Sequence, residues 1–177
     1  MKQLTDKVNA MHGLKIGVFG AAFDPPTLGH QDALLQCIPS FDKILLVPSF
    51  KHAFGKEMSS WQHRLAMLQL FIQAFPAPYP FEMETIEKTL AQQDKPVYTF
   101  DVMTALQSKY KNDQLSFIIG PDNQSKWKQF YKHEDITKNW PVIEIKERLK
   151  THSTQVRDFV KNQQNDPHFF ESLSKMV

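Results

Sequence analysis

Residues 14–30 read LKIGVFGAAFDPPTLGH, a short apolar run that leads into a loop with two prolines. The apolar run at residues 14–19 predicts a first β-strand, and Gly20 permits the tight backbone turn that must follow it. The prolines exclude a helix over residues 21–29, whereas the apolar spacing after His30 predicts one from there onward. A helix that begins beside such a loop directs its free amides toward it, which suits a phosphate ligand.

Further along the chain, apolar runs alternate with segments of helical periodicity, which is typical of a parallel sheet with crossover helices. The other strands are predicted at residues 43–47, 81–86, 115–119 and 141–144. Helices are predicted from Ser59 or Ser60 to 75, at 97–110, once or twice within 127–139, from 153 to 160 and within 166–177. The expected fold class is α/β: a Rossmann-like, doubly wound parallel sheet of about five strands. It forms a single domain over residues 1–177, with residues 1–12 as a flexible or peripheral segment. Right-handed crossovers place the ligand site of such a sheet at the carboxyl ends of its strands.

Composition excludes several classes of protein. Hydrophobic residues make up 41% of the 177 and charged residues 23%, which is a globular balance rather than a disordered one. The 21 lysines and arginines against 19 acidic residues leave a net charge of +2, so neither a nucleic acid nor a membrane is expected as a partner. The single cysteine, Cys37, excludes a disulfide framework and is expected to be buried and inert. No apolar signal segment is visible, so we expect a cytoplasmic protein; a homo-oligomer is left open.

The loop over residues 20–30 matches neither the G-x-G-x-x-G fingerprint nor a P-loop. It resembles the nucleotidyltransferase superfamily with the His/Thr-x-Gly-His motif, through Gly20, Phe23, Pro25, Thr27, Gly29 and His30. The resemblance implies ATP binding by Gly20, Ala22, Phe23, Thr27, Gly29 and His30. It also implies that His30 stabilises charge on the α-phosphorus and that Thr27 occupies the place of a variable histidine.

Residues 152–157, HSTQVR, resemble the second signature of that superfamily, Ser-Ser/Thr-Thr-x-x-Arg at the start of a helix. By this resemblance Ser153, Thr154 and Arg157 bind the ATP phosphates, and Arg157 joins His30 as a catalytic residue. A Ser/Thr pair at a helix start is also an ordinary cap, so a plain surface helix is the alternative. His152 replaces the usual first serine.

Two further groups of residues point to substrate. Lys51 and Lys56 follow the second strand, where the superfamily commonly has a phosphate-binding lysine, and Arg64 matches an Arg-x-x-Met pattern at the next helix. Each could equally be a solvated surface residue. Gly120 and Asp122, followed by Trp127, resemble the ATP-ribose segment of the nicotinate/nicotinamide mononucleotide branch. Tyr98-Thr99-x-Asp101 resembles its pyridine-nucleotide segment, so Thr99, Asp101 and Trp127 are expected to bind substrate.

The resemblance implies an adenylyltransferase that moves AMP from ATP to a pyridine mononucleotide, with release of pyrophosphate and formation of NAD or its deamido form. Mg²⁺ is expected to arrive with ATP, without metal ligands from the chain. The alternatives are adenylyl or cytidylyl transfer to another phosphorylated acceptor, such as phosphopantetheine, and a non-catalytic adenine-nucleotide sensor. The short segment between Trp127 and Ser153, together with the charge of Asp101, favours nicotinamide mononucleotide over the acid.

Overall fold

Five parallel strands form the sheet around which the chain is built. The computed structural model describes residues 13–51, 57–75, 79–91, 95–162 and 168–177. The strands are β1 (Lys15–Ala21), β2 (Lys43–Pro48), β3 (Phe81–Met83), β4 (Gln114–Ile119) and β5 (Val142–Glu144), in the spatial order β3-β2-β1-β4-β5. The predicted five-stranded, doubly wound sheet is therefore confirmed. Its chain order reverses between β1 and β4, and a crevice for a ligand opens at such a switch point.

The described residues form eight α-helices, which connect the strands of the sheet or follow the last strand. They are α1 (Leu28–Cys37), α2 (Trp61–Gln73), α3 (Ile86–Leu90), α4 (Thr99–Lys109), α5 (Pro121–Gln124), α6 (His133–Asn139), α7 (Ser153–Asn162) and α8 (Phe169–Ser174), with 3₁₀ turns at Ile38–Ser40 and Trp127–Gln129. Ser60 caps α2 by accepting the N–H of His63, as the sequence predicts.

The start of α1 corrects one expectation. The helix begins at Leu28, whereas the prolines were expected to exclude a helix throughout residues 21–29. Pro25 and Pro26 both precede the N-cap residue Thr27, so neither one interrupts a helical hydrogen bond. The short helices α3 and α5 were not predicted, because four or five residues carry too little periodicity to be recognised.

The alternation of side chains along the strands divides the core into two layers. Val18 of β1 and Phe117 of β4 face α4 and α6, where Met103 and Ile136 are fully buried. On the other face, residues that include Ile44, Leu46 and Ile118 pack against α1 and α2. Helices therefore cover both faces, as expected for strands that are apolar throughout.

Two smaller expectations can also be compared with the structure. Cys37, the last residue of α1, is buried against the sheet, and burial raises the pKa of its thiol to about 11, as expected of an inert cysteine. None of the helices in the described residues has the length and apolarity needed to cross a membrane.

Candidate functional site

The loops that follow the strands converge on one open cleft of about 450 Å³. Gly20 and Ala21 line it at the end of β1, Ser49 just after β2, Gly120 after β4 and Ile145 after β5. This edge is where the sequence placed the ligand site, and the reversal of strand order lies at its centre.

Phe23 gives the β1–α1 loop its shape. Its backbone φ is 48°, in the left-handed region, which costs a non-glycine residue roughly 1 kcal/mol. Its ring is fully buried, with the centroid 6.0 Å from that of Phe19 and 5.2 Å from that of His30. Burial of the ring offsets the backbone cost and packs an apolar wall against the imidazole.

Thr27 fixes the orientation and the tautomer of His30. The backbone N–H of Thr27 donates to Nδ1 of His30 at 3.1 Å, and the buried Thr27 hydroxyl oxygen lies 2.9 Å from the same nitrogen. Since Nδ1 accepts a hydrogen bond from this N–H, the proton of a neutral ring must be on Nε2. Desolvation by burial lowers the pKa of His30 to about 4; Asp122 opposes this shift and His152 adds to it. His30 is therefore a neutral donor at neutral pH.

Side chains from α2 and α7 hold the carbonyl groups of the same loop. Nη1 of Arg64 donates to the Ala22 carbonyl at 2.8 Å, and the Ser153 hydroxyl donates to the Pro25 carbonyl at 2.8 Å. Nη1 of Arg157 donates to the Asp24 carbonyl and lies 3.9 Å from the carboxylate of the same residue. Both arginines direct their guanidinium groups at the loop, and neither of them lines the cleft.

Most of the site residues predicted from the sequence do line the cleft. They are Gly20, Ala22, Phe23, Thr27, Gly29, His30, Lys51, Thr99, Gly120, Asp122, Ser153 and Thr154. The cleft thus brings together the two signature segments and the residues after β2 and β4.

Four predicted residues do not line it. Arg64 is only 1% exposed, which rules out the alternative of a solvated helix residue, and Arg157 faces the loop. Asp101 is exposed on α4, because two residues beyond Thr99 a helix has turned by about 200°. Trp127 stacks on Phe117 of the core at 5.8 Å between centroids. Lys56 lies outside the described residues.

The structure also reveals cleft residues that the sequence did not single out. Lys126, Lys146 and Arg148 add positive charge to its walls. The last two follow β5, so the rule that ligands bind after strand ends could have identified them. For Glu87, which also lines the cleft, no pattern in the sequence indicated a role. Its buried carboxylate accepts the N–H of Phe50 at 2.7 Å, and burial raises its pKa to about 7, against the opposing effects of that hydrogen bond and of Arg64.

One group of side chains in the described residues has a donor set suited to a metal ion. His152 lies between two carboxylates, with Nδ1 3.4 Å from Asp122 and Nε2 3.1 Å from Glu147. One ligand atom from each of the three residues lies within 4.8 Å of the others. Two carboxylates among the residues that line the cleft fit the oxygen preference of Mg²⁺, although the sequence suggested no protein ligands.

The chain matches one protein family over most of its length. The family model described as "Cytidylyltransferase-like" matches residues 18–159. The nicotinate-nucleotide adenylyltransferase of Bacillus subtilis (strain 168) is 35% identical over 138 residues, which cover 75% of this chain and 69% of that protein. A Carboxydothermus hydrogenoformans protein provisionally given the same name is 34% identical over 140 residues, which cover 76% of this chain and 66% of that protein.

Among solved structures, a Vibrio parahaemolyticus protein, also provisionally named as a nicotinate-nucleotide adenylyltransferase, superposes with a TM-score of 0.73 at 30% identity. The match covers 89% of this chain and 90% of that one.

Proposed function

The chain belongs to the cytidylyltransferase-like family and, within it, to the nicotinate-nucleotide adenylyltransferases, and from that premise we propose that it transfers the adenylyl group of ATP to nicotinate mononucleotide. The products are pyrophosphate and the deamido form of NAD. One observation carries the proposal: His30 at the start of α1 and Ser153 and Thr154 at the start of α7 line the same cleft. The start of α7 can offer amides to a polyphosphate. The start of α1 contributes the imidazole of His30, since the Leu28 N–H already donates to the Met176 carbonyl and the His30 N–H to the Thr27 hydroxyl.

The acid is the acceptor that we favour, which reverses the preference expected from the sequence. That preference rested on the short segment between Trp127 and Ser153 and on the assumption that Asp101 would face the pyridine ring and repel a carboxylate. Asp101 is exposed on α4 and does not line the cleft, so the repulsion has no structural basis. The relatives are named for nicotinate, which supports the acid form.

The reaction needs no general base, because a mononucleotide phosphate is already an anion. One of its oxygens attacks the α-phosphorus of ATP, and the bond from that phosphorus to the oxygen bridging to the β-phosphate breaks as pyrophosphate leaves. Catalysis then rests on positioning and on charge stabilisation. We assign to His30 a hydrogen bond from Nε2–H to an α-phosphate oxygen, and to Thr154 and Lys51 the binding of the other phosphates.

Mg²⁺, which the family implies, would neutralise charge on the phosphate oxygens when bound. The residues that fit it are Asp122 and Glu147, with His152 between them. Their carboxylates would hold the ion at the wall of the cleft, directly or through water.

The proposal is tested by incubating the protein with ATP and Mg²⁺ against nicotinate mononucleotide, nicotinamide mononucleotide and phosphopantetheine, with CTP in place of ATP as a further arm. Pyrophosphate release and the mass of the product are followed together. We expect the acid to give the highest kcat/KM and a dinucleotide product. A higher kcat/KM for the amide would overturn the choice of acceptor but not the reaction. ATP binding without turnover on any acceptor would identify a nucleotide sensor and overturn the proposal that the protein is an enzyme.

A further inference from the structure

We propose that Arg64 is a positioning residue: its buried guanidinium sets the relative placement of the loops that form one side of the cleft, and it does not bind substrate. The kinetic part of this inference rests on the proposed function, whereas its structural part does not. The inference concerns three ionisable side chains, Arg64, Asp24 and Glu87, which we call the Arg64 hub.

The hub is buried to a degree that is unusual for charged side chains. Arg64 is 1% exposed, Asp24 2% and Glu87 8%. Burial lowers the pKa of Arg64, and the charges of Asp24 and Glu87 oppose that effect. Charges removed from water destabilise a fold unless they are paired and hydrogen-bonded, so the position of the guanidinium is tightly constrained by its partners.

The hydrogen bonds of Arg64 join two loops. Nη1 donates to the Ala22 carbonyl at 2.8 Å, in the loop between β1 and α1. Nε donates to the Ser59 carbonyl at 3.1 Å, in the segment that leads into α2. The planar guanidinium presents these donors in a fixed geometry, so the two carbonyls are held at a set separation.

The carboxylates of the hub hold the same loops through backbone amides. Asp24, in the first loop, accepts the N–H of Ser59 at 3.1 Å, so that both backbone groups of Ser59 are bound to the hub. Glu87 of α3 accepts the N–H of Phe50 at 2.7 Å, next to Lys51. The loop after β1 and the segment before α2 therefore meet at the Arg64 guanidinium. The segment at Phe50 is linked to that cation through the charge of Glu87.

The arrangement matters for an anionic substrate because of where it directs the loop carbonyls. With its oxygen bonded to Arg64, Ala22 does not present that oxygen to the phosphates, while the following residue, Phe23, packs against His30. A displacement of about 1 Å in a catalytic group can reduce a rate by about 10²-fold. Loss of the guanidinium would therefore reduce turnover by displacing His30 and Lys51, without removal of any group that touches substrate.

The test compares R64K and R64M with L70A, a control on the same helix whose side chain is 66% exposed. Lysine keeps the charge but cannot supply two donors in the guanidinium geometry, and methionine keeps much of the volume. We expect kcat to fall about 10- to 100-fold in R64M, with KM for ATP changed by less than about threefold, and an intermediate result in R64K. Guanidinium ion below denaturing concentration, against matched potassium chloride, should restore part of the R64M activity and leave L70A unaffected.

Hydrogen–deuterium exchange provides the readout that does not depend on turnover. The amides of Ser59 and Phe50 should exchange faster in R64M and R64K than in the wild-type protein, and at the wild-type rate in L70A. If the wild-type protein proves inactive, the proposed function fails and the exchange rates still decide the role of Arg64.

Three results would overturn the inference. A rise in KM for ATP or acceptor with kcat unchanged would identify Arg64 as a substrate ligand. Unchanged kinetics and exchange in folded R64M would remove any role in positioning. Failure of both variants to fold would show that Arg64 is needed for the stability of the whole fold rather than for the placement of the two loops.

Discussion

The carbonyl oxygen of Thr151 lies 2.6 Å from the point where a Cβ atom on Gly29 would stand. The same oxygen accepts the hydroxyl of Thr27 at 3.0 Å, across a separation of 124 positions in the chain. The first signature segment is therefore in direct contact with the backbone of Thr151, the residue that precedes the second signature segment. The glycine of the first segment is needed for this close approach of the backbone.

A methyl group at Gly29 should force these segments apart. We expect Gly29→Ala to lower the free energy of unfolding by about 1–3 kcal/mol and to reduce kcat/KM, because its new Cβ would meet backbone rather than a side chain that can move. Thermal unfolding and steady-state kinetics measure the two effects. Gly20→Ala serves as the control for stability, since its nearest atom would be 3.9 Å away. Equal stabilities of the two variants would contradict the argument.

Replacement of His30 should impair the chemical step. We expect His30→Ala to lower kcat by about 10²–10³-fold with an intact fold, as for the loss of one preorganised donor. His30→Gln, which retains an N–H donor, should recover part of the loss. Turnover at the wild-type level in His30→Ala would remove the residue from the mechanism.

The pH dependence of activity should show no titration of His30 near neutrality. With its pKa at about 4, the free ring stays neutral between about pH 5 and pH 9. The profile of kcat/KM against pH should therefore show no inflection near pH 6.5 that can be attributed to His30, that is, none that His30→Gln removes. Such an inflection would show that a protonated imidazole is the active form.

The stability of the protein should respond to pH through Glu87 and His30 in opposite directions. The pKa of Glu87 is raised on folding, so its contribution is present below about pH 4.5 and is lost as the pH rises through about 7. The pKa of His30 is lowered on folding, so its contribution is present above about pH 6.5 and is lost as the pH falls toward 4. Each effect is at most about 3–4 kcal/mol.

Glu87→Gln separates the two contributions, because the amide oxygen can still accept the N–H of Phe50 without a charge. Relative to the wild-type protein, this variant should lose less stability between about pH 5 and pH 8, as measured by urea unfolding at each pH. Parallel stability curves for the two proteins would contradict the raised pKa.

Arg157 offers a test of whether the second signature acts through the loop. Since its guanidinium bonds to Asp24 and to the Thr154 hydroxyl, we expect Arg157→Ala to lower both the thermal stability and kcat. A rise in KM for ATP as the sole effect would instead indicate direct binding of a phosphate.

The position of the site could be predicted from the sequence because it depends on patterns that short segments carry. Apolar runs identified the strands, and the residues after β1 and β4, such as Gly20 and Gly120, necessarily meet at one edge of a parallel sheet. The burial of Arg64 could not be predicted in this way. It sits at the start of an ordinary amphipathic helix, and only the tertiary fold brings Ala22 and Asp24 over it. Asp101 was misplaced because sequence proximity to Thr99 does not place two residues on the same face of a helix.

The neutral state of His30 has a consequence for the design of inhibitors against this cleft. An anionic group placed beside this imidazole would lose its hydration and would gain a charge–charge attraction only if the ring first took up a proton, which its lowered pKa opposes. An uncharged hydrogen-bond acceptor, such as a sulfone or an amide oxygen aimed at Nε2, would use the proton that Thr27 fixes there. Because the hydrogen bond that fixes this tautomer comes from a backbone N–H, the position of the proton on Nε2 does not depend on the hydroxyl of Thr27.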